Sequence, residues 1–138
     1  MDPSPADVTG TSTRSSGRGG ILLIAHASRD AAWAAPFERL RERIARQGSV
    51  VELAYLERMT PVLADAARNL AQRGCSHAVV VPLFLGQGGH VREDLPRLVA
   101  DAMRKHPPLA LRLSTPIGED PQVLDAIAAA CISRDDSR

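Results

Sequence analysis

Aromatic side chains are scarce in this 138-residue sequence: two Phe, one Trp and one Tyr, 3% of the chain. So few rings exclude a base-stacking platform for single-stranded nucleic acid. Charge of one sign is also lacking, since 17 Lys+Arg stand against 16 Asp+Glu. Without a basic surplus there is no electrostatic footprint for nucleic acid. The two cysteines, Cys75 and Cys131, form no CxxC pair, which excludes a disulfide scaffold and points to a reducing cytoplasm. No apolar run approaches the roughly 20 residues of a membrane helix; the apolar stretch at residues 21–25 is far too short. The start Met1-Asp2-Pro3-Ser4 has neither the charged n-region nor the long apolar stretch of a signal peptide. The expectation is a soluble, cytoplasmic protein of one domain, a size that commonly runs to about 100–150 residues.

What is present divides into tails and a patterned middle. Residues 1–19 are rich in Ser, Thr, Gly and Pro and nearly free of large apolar groups. Burial there cannot offset ordering entropy, so a disordered leader is expected, with residues 133–138 frayed for the same reason. Between them, Ile21-Leu22-Leu23-Ile24-Ala25 is a continuous apolar run, as in a strand covered on both faces. Trp33, Phe37, Leu40 and Ile44 recur on one helical stripe, with Pro36 within a turn of the helix start and Gly48 at its end. Val50 to Leu56 reads as a second strand, and Thr60-Pro61 as the N-cap and first turn of a helix that Gly74 terminates. Ala78 to Phe84 reads as a third, central strand, followed by Gly86-Gln87-Gly88-Gly89 and a helix from about His90 to Lys105. Leu109 to Leu113 is the fourth strand, and a last helix carries Val123, Leu124, Ile127 and Ala128. The order βαβαβαβα implies a three-layer α/β/α fold on a four-stranded parallel sheet.

In such sheets a ligand sits beyond the carboxyl ends of the strands, at a topological switch point. His26 follows strand one, Glu57 follows strand two, and His90 follows strand three after the glycine loop. If the strand order reverses between strands one and three, the two histidines flank the switch-point crevice. Two imidazoles and a carboxylate suit either of two tasks: holding Fe(II), Co(II), Ni(II) or Zn(II), or general base catalysis near neutral pH. The 64 residues between the histidines match no local metal motif. His77 at the start of a strand and His106 near a helix C-terminus read as structural, the latter complementing the helix dipole. Gly86, Gly88 and Gly89 permit unusual dihedrals and close backbone approach, and the helix start after them is an anion site. GQGGH is neither a P-loop nor GxGxxG, so nucleotide binding is not supported. Arg29, Arg58 and Arg92 stand beside the three strand-end residues, where guanidinium groups can take carboxylates bidentately.

These stretches resemble a known family. His26-Ala27-Ser28-Arg29-Asp30, Tyr55-Leu56-Glu57 leading to Thr60-Pro61, and Val81-Pro82-Leu83-Phe84-Leu85-Gly86-Gln87-Gly88-Gly89-His90-Val91-Arg92-Glu93-Asp94-Leu95-Pro96 are similar to the short sirohydrochlorin chelatases of cobalamin and sirohaem biosynthesis. Pro116 to Asp120 looks like that family's last βα loop, and the likeness spans residues 20–132 in order. One departure is Ala27, where the family usually has Gly. The resemblance implies a chelatase-like (flavodoxin-like half) fold and a lyase that inserts a divalent metal into the tetrapyrrole sirohydrochlorin without ATP and without a permanent cofactor. Co2+ is the metal it favours, with Fe2+ or Ni2+ also suited to the ligands. By that resemblance His26 and His90 bind the metal, His26 also accepts a pyrrole proton, and Glu57 assists. Arg29, Thr60, Leu85, Gly86, Gln87, Gly88, Gly89 and Arg92 then face the tetrapyrrole and its carboxylates. A chain with a single such domain resembles the family's homodimers. Two other readings stay open from the sequence: a tetrapyrrole or metal carrier of the same fold, and a histidine phosphatase. The latter's signature places Arg before the nucleophilic His, whereas Ala25 precedes His26 here.

Overall fold

The computed structural model describes residues 17–56 and 61–137. Four strands, β1 (Arg18–His26), β2 (Val50–Leu56), β3 (Cys75–Pro82) and β4 (Ala110–Leu113), form one sheet. Its order is β2-β1-β3-β4, with every neighbouring pair parallel. Four α-helices connect and follow them: α1 (Ala35–Arg46), α2 (Leu63–Gln72), α3 (Gly89–Lys105) and α4 (Pro121–Ile132).

The apolar runs form the inner strands because alternate side chains point to opposite faces and both faces are covered. Leu22 and Ile24 of β1 join Ala54, Val80 and Leu111 on the face that α2 and α3 cover with Leu63, Leu70, Leu95 and Val99. Leu23 and Ala25 join Val51, Leu53 and Tyr55 on the other face, against Phe37, Leu40 and Ile44 of α1. Leu22, Ile24 and Leu70 are fully enclosed, each contributing about 1.5–3 kcal/mol of apolar burial. Gly48 and Gly74 end α1 and α2 at φ +99° and +88°, left-handed values that a β-carbon penalises.

Several boundaries differ from those read in the sequence, each for a local reason. β1 starts at Arg18, inside the stretch expected to be a disordered leader, because the Arg18 amide meets the Gly74 carbonyl and the strand continues alongside β3. Residues 1–16 lie outside the described residues. β3 starts at Cys75, three residues earlier than expected, and takes in His77, whose Nδ1 lies 3.1 Å from the Ser76 hydroxyl. The helix expected to open at Thr60-Pro61 begins instead at Leu63. The Pro61 carbonyl is taken by the Tyr55 amide, and the Asp65 carboxylate accepts from the Val62 amide one turn later. Thr60 itself, like Glu57 and Arg58, lies outside the described residues. Trp33 is not on the α1 stripe: it sits in a 3-10 turn, Ala31–Ala34, capped by Asp30, and is 41% exposed. Pro36 falls in the first turn of α1, where its missing N–H costs nothing. Pro96 lies inside α3 and is exposed there, leaving the Arg92 carbonyl without a helical donor.

The last loop is fixed by a close approach. The Gly118 amide donates to the Phe84 carbonyl at 2.9 Å, and a β-carbon on Gly118 would overlap the Leu85 backbone. Replacing Gly118 with Ala should therefore cost about 3 kcal/mol through enforced backbone displacement, read as a lower denaturation midpoint at unchanged slope. The Tyr55 hydroxyl is enclosed and has no hydrogen-bond partner among the described residues. Burial, with Glu38 adding to it and Arg41 opposing, pushes its phenol above the ordinary tyrosine value. A raised folded value means that this group's contribution is whole below the usual phenol range and lost as pH rises through the folded value. Tyr55 is the sole tyrosine, so the phenolate absorbance of the native protein should appear late in an alkaline titration. Tyr55→Phe should gain about 1 kcal/mol by removing the unsatisfied hydroxyl, measured by the same unfolding experiment.

Candidate functional site

Strand order locates the crevice. The chain leaves β1 for β2 on one side, and β3 lies on the other, so the connections diverge between β1 and β3 and open a gap at their carboxyl ends. His26 is the last residue of β1 and is exposed. Its ring stacks on Phe84, centroids 4.3 Å apart at 27°, and Phe84 itself is buried. Its carbonyl accepts the Trp33 indole N–H at 2.6 Å. The imidazole is thus held on one flank by an apolar ring anchored in the core, with its backbone tied to the following turn.

His90 is the second residue of α3, after the Gly88 N-cap. Its side chain is 84% exposed, and its Nε2 lies 3.2 Å from an Asp94 carboxylate oxygen. One helical turn separates the two, the spacing at which side chains meet. Asp94 also pairs with Arg97. The histidines share an edge through Leu56: it is the β2 register partner of His26, and it lines a hollow of about 40 Å3 together with His90, Asp94 and Leu98. A larger trough of about 320 Å3 adjoins, again lined by Leu56 and Leu98, with Ile24, Val62 and Leu63 on its walls and Lys105 at its rim. Lys105, followed by Arg104, holds the Asp101 carboxyl on that rim below its usual range.

The loop between β3 and α3 is open. Leu85 is 67% exposed, and Gln87 is half-buried. Gly86, Gly88 and Gly89 permit unusual dihedrals and close backbone approach; none of them has a positive φ, and a β-carbon on any of them would meet nothing within 4 Å. The chain itself does not crowd this loop, so the space above its backbone is free. Arg92 donates to the Gln87 carbonyl at 3.1 Å and so braces the loop, while Arg29 is exposed in the turn after β1.

His26, His90 and residues 85–89 therefore occupy one edge, as the sequence predicts. His77 and His106 lie elsewhere, at the start of β3 and the C-terminus of α3. Among the described residues no three His, Cys, Asp or Glu side chains converge on one point. The described donors are two imidazoles, a set that leaves several positions of a divalent ion open. Phe84, Trp33 and Asp94 were not singled out beforehand as parts of this edge. The His90–Asp94 pair was visible as an i,i+4 spacing; the Phe84 stack needs the β1–β3 register and was not.

A family model described as CbiX matches residues 20–133. A protein named sirohydrochlorin cobaltochelatase from Sulfolobus acidocaldarius is 30% identical over 108 residues, covering 78% of this chain and 85% of its own. A second of that name, from Saccharolobus solfataricus, is 38% identical over 80 residues, 58% of this chain and 62% of its own. Among solved structures, the CbiX protein of Marinobacter aquaeolei VT8 superposes with a TM-score of 0.76 at 33% identity, over 84% of this chain and 96% of that one. The sirohydrochlorin chelatase SirB of Bacillus subtilis subspecies spizizenii, in complex with cobalt, gives 0.72 at 26% identity, over 85% of this chain but 51% of its own. With these superpositions and a family match running almost from the start of β1 to the end of α4, this chain belongs to the CbiX family.

Proposed function

We propose that the protein inserts a divalent metal into sirohydrochlorin, with His26 and His90 receiving the ion and His26 taking up a pyrrole proton. The observation that carries this reading is the placement of two exposed imidazoles at one sheet edge, beside an uncrowded glycine loop and an apolar trough. A chelatase must hold its ion loosely enough to surrender it, and two neutral nitrogens with open coordination positions suit that better than a closed cage. Metal and tetrapyrrole are both substrates here, and no permanent cofactor or ATP takes part.

The chain's own groups have separable tasks. Phe84 keeps the His26 ring from rotating freely by stacking against it. Asp94 accepts from His90 when Nε2 carries the proton, which leaves the other ring nitrogen as the electron-pair donor and fixes the ring's orientation. As each pyrrole N–H proton departs, a neutral imidazole at the edge is a competent acceptor. Glu57, at the exit of β2, is the third group assigned to proton removal. The Gly86, Gly88 and Gly89 backbone, with Leu85, Gln87 and Thr60, borders the macrocycle, whose flat face needs room that side chains would fill. Arg29 and Arg92 meet its carboxylates. The metal is Co2+ by preference: the relatives above are named cobaltochelatases, and SirB is known with cobalt and with Fe3+. A second copy of the chain supplies the far wall of the cleft, since one chain matches only about half of SirB. The enzyme works in the cytoplasm.

Anaerobic absorbance spectroscopy of sirohydrochlorin with Co2+, Fe2+ or Ni2+, at catalytic protein concentration, tests the reading. Many turnovers above the protein-free control are expected, fastest with Co2+. His26→Ala and His90→Ala should each lower the rate ~100-fold or more with circular dichroism unchanged, because both side chains are exposed. Stoichiometric binding without acceleration would instead make the protein a carrier. Asp94→Asn should reduce the rate roughly tenfold while leaving the unfolding midpoint within experimental error; a full rate would remove Asp94 from the mechanism.

A further inference from the structure

Trp33 is placed in an unusual way. Tryptophan is mostly enclosed in folded chains, yet Trp33 is 41% exposed and belongs to the core on neither face of the sheet. What it does touch is specific. Its ring meets Phe37 edge-on, centroids 5.6 Å apart, and its single polar atom donates to the His26 carbonyl at 2.6 Å.

The residue it reaches needs such a partner. On the β2 side the ladder runs to the end of β1, with His26 opposite Leu56. On the β3 side it stops earlier, with Ile24 opposite Pro82. His26 thus ends a strand with paired backbone on one flank, and side chains hold it on the other. The imidazole lies on Phe84, in the layer that α2 and α3 cover. The carbonyl is held from the α1 layer, where Trp33 stands on Phe37 and Phe37 on Tyr55, the latter pair with centroids 6.4 Å apart.

The turn that carries the indole is built without help from His26. The Ser28 hydroxyl accepts from the Asp30 amide at 3.1 Å, and the Asp30 carboxylate from the Ala32 amide at 2.9 Å. The Asp30 carbonyl accepts in turn from the Trp33 amide at 2.9 Å, and Pro36 stiffens the start of α1 just beyond. A fixed turn therefore grips a strand end that the ladder leaves half paired. Because the rotamers open to a side chain depend on its own φ and ψ, pinning the His26 carbonyl limits where its ring can go.

We propose that Trp33 is a positioning residue for His26: its indole N–H fixes the backbone at the end of β1, so that the imidazole stays on Phe84 and keeps one orientation toward the crevice. This rests on the role given to His26 above and names what holds it in place. Trp33 acts through His26 and takes up neither ion nor proton itself. A misplaced acceptor slows the chemical step more than it weakens the capture of substrate, so the loss on removing the indole falls on kcat.

The test removes the hydrogen bond and keeps a ring. In Trp33→Phe an aromatic side chain still packs on Phe37; replacement of Trp33 by benzothienylalanine, with sulfur in place of the N–H, keeps the shape as well and serves if Trp33→Phe disturbs the turn. The first readout is the NMR spectrum of the imidazole rings in the full chain, its four histidines assigned by single substitutions. In the unaltered protein the Phe84 ring current displaces the His26 ring protons upfield of their position in the unfolded chain. Both variants should lose at least half of that displacement, with His90 unmoved and circular dichroism native. The second readout is turnover: kcat should fall about tenfold with KM for sirohydrochlorin unchanged. A displacement kept in both variants overturns the proposal, as does its loss with kcat intact. A KM that rises while kcat holds makes Trp33 a substrate contact and overturns it too. Absence of turnover in the unaltered protein removes the chelatase reading alone, since the resonances still decide whether Trp33 orients His26.

Discussion

The pairing of β1 between β2 and β3 governs everything else in this molecule. It places the most apolar strand in the centre, where Leu22 and Ile24 face one layer of helices and Leu23 and Ala25 the other. It also forces the chain to turn left after β1 and right after β2. That reversal alone opens the crevice at the carboxyl edge. Were β1 not paired with β3, His26 would have no Phe84 to stack upon. The sheet order is therefore both the source of stability and the reason that two distant histidines share an edge.

Rigidity and openness are divided between the two sides of that edge. Below it, the strands are locked by ladder hydrogen bonds and by enclosed side chains, and Leu83 extends the β1–β3 pairing by donating to the Ile24 carbonyl at 2.8 Å. Above it, the His90 and Leu85 side chains are exposed, and a β-carbon on Gly86, Gly88 or Gly89 would meet nothing within 4 Å. A reaction that brings together a flat macrocycle and a hydrated ion needs this combination: ligand atoms held in register from beneath, with nothing filling the volume where the two substrates meet. Asp94 and Phe84 hold their imidazoles in different ways, one through a hydrogen bond and one through ring contact.

Sequence patterning made the sheet legible because its strands are continuous apolar runs of low ambiguity, and the histidines legible because they sit one step beyond such runs. Trp33 was misplaced for a physical reason. Its spacing to Phe37, Leu40 and Ile44 fits a 3.6-residue period, but Asp30 caps a tighter 3-10 turn and shifts the phase before α1 begins. The start of α2 was misplaced because the Pro61 carbonyl serves Tyr55 across the chain, a long-range bond no local pattern announces. Glycine by itself does not announce which backbone is crowded: the glycines of the Gly86–Gly89 loop have no positive φ and open space about them, whereas Gly118, in the loop before the last helix, is the one a β-carbon would most disturb.

The hydrogen bond from Trp33 to the His26 backbone gives the molecule an optical handle of its own. Trp33 is the single tryptophan, partly exposed, with its indole nitrogen fastened to the residue that ends β1. Its emission therefore originates at the carboxyl edge of the sheet, the edge proposed above for ion and macrocycle. A paramagnetic cation or a strongly absorbing ring arriving there would dim a fluorophore that needs no label and has no competitor elsewhere in the chain.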